Sequence, residues 1–145
     1  MINSLVLLCR LALGGVFIYA SLDKLADPAA FAQAIGHYRI VPYSLLHAAA
    51  HLLPVTEFVV GTALILGWYR RGAALLCGAM LVIFMAAISS ALVRNLDISC
   101  GCFNTDAGHG VGLDLLWRDL ILLLLAVPPL IVRNPGWALD RLRHR

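Results

Sequence analysis

Two cysteines one residue apart, Cys100 and Cys102 on either side of Gly101, are the residues best suited to chemistry in this chain. They lie in the polar run RNLDISCGCFNTDAGHGV at 94–111, between two long apolar stretches, where water can reach them. A disulfide between positions i and i+2 closes a small ring and needs Cα atoms within roughly 4.4–6.8 Å, a turn that the glycine permits. Such a ring is strained, and strain makes the bond easier to reduce, which suits an exchange centre better than a structural staple. In that chemistry one thiolate attacks a partner's disulfide and the other cysteine resolves the mixed disulfide. The same residues also fit two other readings: unreactive loop cysteines, and the thiol half of a soft-metal site. His47 and His51, four apart on one helix face, and His109 are expected on the same side as the thiols and would complete that metal site; otherwise they are interfacial histidines at a helix start. Cys9 and Cys77 fall at similar depth near the opposite face, on different apolar stretches. They read as buried small hydrophobes or as a second thiol pair that relays electrons.

The elements that must position these residues follow from composition. The 145 residues allow one domain, 1–145. The chain is 61% hydrophobic and only 13% charged, about half the charged share usual in soluble domains, and its mean hydropathy is +0.88. That composition fits helices apolar all round, as in a lipid bilayer. The net charge of +3 and a pI near 8.9 do not point to nucleic acid, because the basic residues are not clustered with aromatics on a soluble face. Apolar spans cover about 5–22, 48–67, 73–93 and 112–132, each near the ~20 residues that cross a hydrocarbon core. The expected fold is therefore all-α: an antiparallel four-helix transmembrane bundle, with small residues such as Gly14, Gly15, Gly61 and Gly78 at helix contacts. The first span has no basic segment before it and no Ala-x-Ala-like end, and Asp23-Lys24 follow it, so it reads as a mature helix rather than a secretory signal.

Between the first two spans, Asp27-Pro28 reads as an N-cap with proline at the first helical position. Phe31, Ala34, Ile35 and Tyr38 then recur at helical spacing, which predicts a short interfacial helix in the first outer loop, either a lid over the outer end or an ordinary connector. Arginines 70, 71, 133, 141, 143 and 145 fall on one side of the membrane, and Lys24, Arg39, Arg94 and Arg118 on the other. This bias places both termini in the cytoplasm and the thiol pair outside the plasma (inner) membrane, where disulfides persist.

Polar residues within the spans need partners. Glu57 falls near mid-membrane, where a carboxylate costs several kcal/mol unless paired, protonated or hydrated. Arg118, in the outer part of the fourth span, is its expected partner. Glu57 then either accepts a proton released on thiol oxidation or holds two helices together. Asp119 and Asp114 are expected near the outer surface, Asp23 and Lys24 are expected to order the outer loop, and Arg10 is expected to snorkel to the inner face. Phe103 would anchor the thiol turn, and Asn104 would tolerate a tight reversal after it.

The run RLALGGVFIYASLDKLADP at 10–28 resembles the first helix and loop of the MauE/DoxX family of redox-associated membrane proteins. Pro54-Val55-Thr56-Glu57 with Gly61 and Gly67 is similar to that family's second helix. Cys100-Gly101-Cys102-Phe103, Val111-Gly112 and Arg118-Asp119 resemble the segment typical of its MauE branch, and Asn104 departs from a glycine common there. The resemblance implies a four-helix membrane protein that works with periplasmic thioredoxin-like proteins in making or transferring disulfides. It also implies a link to maturation of a disulfide-rich periplasmic dehydrogenase. The sequence carries no recognisable flavin, haem or nicotinamide motif; a quinone is an acceptor that such a bundle could use, and no residue singles it out.

Overall fold

A computed structural model describes residues 2–94 and 111–132. Every regular element among them is helical: α1 (Ile2–Ala26), α2 (Pro28–His37), a short 3-10 turn (Tyr43–Leu45), α3 (Leu46–Leu66), α4 (Arg70–Val93) and α5 (Val111–Ile131). Three stretches, Ser4–Ala26, Tyr43–Leu66 and Arg70–Val93, are long and apolar enough to cross a membrane. The fourth long helix, α5, differs in carrying Asp114, Arg118 and Asp119 in its first half.

Local sequence explains where these helices start and turn. Asp27 caps α2, its carboxylate accepting from the Ala30 amide at 2.9 Å, and Pro28 supplies the pre-set first residue. After α3, Gly67 adopts the left-handed conformation with φ 70°, while Trp68 N–H donates to Ala63 O and Gly67 N–H to Leu64 O. This pair of bonds is the glycine-ended closure that satisfies terminal carbonyls. It leaves a three-residue connection, after which α4 packs against α3.

The closest approach is between α1 and α3. A Cβ added at Gly14 would lie 2.7 Å from Gly61 O, and one added at Gly61 would lie 2.9 Å from Gly14 O. The two backbones therefore touch where no side chain intervenes, the contact expected of small residues in membrane helices. Of the other glycines expected at contacts, Gly78 faces only Leu123, at an ordinary 3.7 Å, and Gly15 faces open space. The core draws on four helices, with Leu13 and Phe17 of α1, Leu64 of α3, Cys77 of α4 and Ala126 of α5 in one cluster. α2 seats Phe31 and Ala32 against Ala50 of α3. Large apolar side chains such as Leu8, Leu75, Ile83 and Leu124 point outward from the long helices, a surface that suits lipid rather than water.

Arg10 does not snorkel. It is 1% exposed, and its Nε and Nη2 donate to the carbonyls of Leu64 and Ile65 at 2.9 and 3.1 Å. The guanidinium fork adds a donor to Leu64 O, which also accepts from Gly67 N–H, and one to Ile65 O, and its charge complements the negative end of the helix dipole. At the same end of the molecule, Arg70 Nη2 donates to Val132 O at 2.6 Å, just past the end of α5.

Candidate functional site

Away from that arginine-capped end, α1, α2, α3, α4 and α5 line a partly open cavity of about 190 Å³. Its walls are almost all aliphatic and aromatic, and its charged lining residues are Lys24, Glu57, Arg118 and Asp119. Lys24 comes from the last turn of α1 and Glu57 from the middle of α3. The ammonium Nζ donates to both carboxylate oxygens, at 2.6 Å to Oε1 and 2.8 Å to Oε2, and each side chain is less than 5% exposed. The same ammonium lies 5.2 Å from the centroid of the Phe31 ring and 5.0 Å from that of Phe84, within cation–π range of both. One cation is thus held by a carboxylate of α3 and by rings from α2 and α4.

Helix geometry explains how a residue near the end of α1 reaches mid-α3. Side chains on a helix lean toward its N-terminus. α1 and α3 run in opposite directions along their contact, since Arg10 meets Leu64, Gly14 meets Gly61 and Lys24 meets Glu57. Lys24 therefore extends back along α1 and inward to the carboxylate. This corrects two expectations. Lys24 does not merely order the outer loop, because its charge is buried, and the partner of Glu57 is Lys24 rather than Arg118. Arg118 instead donates Nε and Nη2 to Oδ1 of its neighbour Asp119, at 3.2 and 3.0 Å. Asp119 is only 3% exposed, so its carboxylate is buried between the helices. Asp114 and Asp23 are exposed, and Asp23 takes no part in the cavity lining.

The cavity thus brings together Lys24, Glu57, Arg118 and Asp119, four of the residues singled out from sequence. The helical spacing of Phe31 predicts its place on a packed face but not its contact with Lys24, and Phe84 lies in an apolar run that gives no sign of either. Cys100, Cys102, Phe103, Asn104 and His109 lie outside the described residues. His47 and His51 are both exposed, and His51 Nδ1 bonds the His47 carbonyl at 2.8 Å. Among the described residues no group of three or more His, Cys, Asp or Glu side chains is arranged to hold a metal ion. Cys9 of α1 and Cys77 of α4 are both buried free thiols.

Helices of membrane-crossing length around a buried charged centre make this a multi-pass membrane protein. It belongs to the MauE family: the family described as methylamine utilisation protein MauE matches residues 2–132. Two relatives, both named methylamine utilization protein MauE, come from Paracoccus denitrificans and Paracoccus versutus. They are 31% and 29% identical to it over 119 residues. That alignment covers 81% of this chain but 64% of each relative, so the chain spans a little under two thirds of their length. No solved structure matches the chain.

Proposed function

We propose that this protein is a membrane accessory of thiol–disulfide exchange, using Cys100 and Cys102 with a thioredoxin-like partner on the outer face of the plasma (inner) membrane. The observation that carries this reading is the paired thiols in a polar segment of a MauE-family membrane protein. In this proposal α1, α3, α4 and α5 form an antiparallel four-helix transmembrane bundle, with α2 at its outer interface and both termini cytoplasmic. The basic residues support that orientation: Arg70 and Arg71 follow the α3–α4 turn, whereas Lys24, Arg39 and Arg94 sit at the opposite ends of the helices. The relatives' name directs the search for a client toward disulfide-rich enzymes of methylamine utilisation.

In the exchange, a thiolate of one cysteine attacks a disulfide of the partner, and the second thiol displaces it, leaving an intrachain disulfide here and two thiols on the partner. The reverse sequence oxidises the partner. Single variants Cys100→Ser and Cys102→Ser test this in native membranes: one of them accumulates a mixed disulfide with a thioredoxin-like protein, which reductant releases. Full client oxidation by the double variant would remove the thiol role.

A further inference from the structure

We propose that the cavity between the helices binds a lipid-soluble compound with a single carbonyl-bearing ring, the chemical class of the tailed benzoquinones. This rests on the described cavity and stands apart from the thiol reading.

Size limits the guest. A dry cavity of about 150 Å³ lined by Leu, Ile and Phe accommodates benzene, whereas drug-sized ligands take about 300–1,000 Å³. At about 190 Å³ the site suits one substituted six-membered ring and leaves a longer substituent outside.

Access decides the medium from which the guest comes. Ile83 lines the cavity yet is 67% exposed. It lies near the middle of the Arg70–Val93 helix, roughly 15–20 Å from either end. Where the cavity wall reaches that residue it borders hydrocarbon rather than water, and Ile40, 52% exposed in the segment after α2, is a second exposed part of the lining. A compound arriving there is lipid-soluble, and its tail can remain among the acyl chains.

Recognition comes from Lys24. An ammonium has three N–H donors, and the hydrogen bonds of Lys24 go to the two oxygens of Glu57 alone. The remaining donor belongs to a side chain 4% exposed that lines the cavity. A ring carbonyl oxygen is a suitable acceptor for it. An acyl chain would fill the space but leave that donor without an oxygen. The rings of Phe31 and Phe84, on either side of the ammonium, also offer aromatic surface to a planar guest.

The test uses the full chain in phosphatidylcholine nanodiscs with a photoreactive azidobenzoquinone carrying a decyl tail. The expected label falls on peptides containing Phe31 or Phe84 and is displaced by decylubiquinone but not by decanol. Ala87 lines the cavity from α4, and Ala87→Phe should lower labelling by about tenfold or more with an unchanged melting temperature. Lys24→Met should lower it as well; Ala87→Phe keeps the test decisive if the lysine variant does not fold. Labelling should persist in the Cys100→Ser/Cys102→Ser double variant, which separates this site from the thiol reading. Equal displacement by decanol, label spread over the outward face of the helices, full labelling of folded Ala87→Phe, or loss of label in the cysteine variant would each overturn the proposal.

Discussion

Lys24 and Glu57 form a buried ion pair across α1 and α3, with Nζ 2.6 and 2.8 Å from the two carboxylate oxygens. The pair joins a helix end to a helix middle and puts a charge in the wall of an apolar cavity. Removing one partner strands the other charge where water cannot solvate it.

Glu57→Gln and Lys24→Met should each lower stability by about 3–5 kcal/mol, and the double variant should recover part of that loss. Reversible unfolding in mixed micelles measures the cycle. Pairing Glu57→Gln with Arg118→Gln should show no comparable rescue, since Arg118 is bonded to Asp119. Rescue by the arginine variant instead of the lysine variant would contradict the pair.

The glycine contact makes a prediction with its own control. Gly14→Ala puts a Cβ 2.7 Å from Gly61 O and Ile65 Cγ1, so α1 and α3 must move apart, at a cost of about 1–3 kcal/mol. Gly15→Ala meets nothing within 4 Å and should change stability by no more than about 0.5 kcal/mol. Equal effects of the two neighbouring variants would show that the helices do not touch there.

Arg10→Met should destabilise the protein by about 1–3 kcal/mol, because the Ile65 carbonyl loses the guanidinium and the buried Leu64 carbonyl keeps only its bond from Gly67 N–H. Arg10→Lys should restore only part of this, since one ammonium cannot reproduce the planar fork that meets two carbonyls. Hydrogen exchange should rise first in the last turn of α3. Unchanged protection there would count against the cap.

Cys100 and Cys102 give the prediction on topology. After mild reduction of whole cells or spheroplasts, a membrane-impermeant maleimide should label both thiols from outside. The double serine variant should keep the melting temperature of the parent, because the two thiols fall in a segment of polar composition and the helices carry their own backbone hydrogen bonds. Labelling from the cytoplasmic side alone would invert the orientation.

Much of the helix pattern is legible in the sequence because membrane helices declare themselves by length and composition. The expected apolar stretches near 5–22, 48–67, 73–93 and 112–132 overlap helices Ile2–Ala26, Leu46–Leu66, Arg70–Val93 and Val111–Ile131, of which the first three are apolar enough to cross a membrane. Differences lie at the ends, where polar residues such as Lys24 and Arg70 continue a helix beyond its apolar stretch. Asp27-Pro28 marks the start of α2 correctly, since both the cap and the proline act through bonds only a few residues away. The site was harder to read. Counting residues along a span gives the depth of Glu57's backbone, but a lysine side chain carries its charge several ångströms from its own Cα. That reach, directed back along α1, made Lys24 the partner in place of Arg118. The neighbouring Arg118–Asp119 bond is likewise a matter of side-chain direction, which helical periodicity does not encode.

The placement of Arg10 and Lys24 also bears on biogenesis. Each of these cations of α1 is satisfied by a group of α3, the carbonyls of Leu64 and Ile65 at one end and the carboxylate of Glu57 at the other. While the chain is being made, α1 leaves the ribosome before any of those acceptors exists. Until they arrive, it can seat in lipid only with both cations drawn toward headgroups or water. The buried placement of Arg10 and Lys24 therefore depends on α3, although the backbone of α1 satisfies its own hydrogen bonds without it.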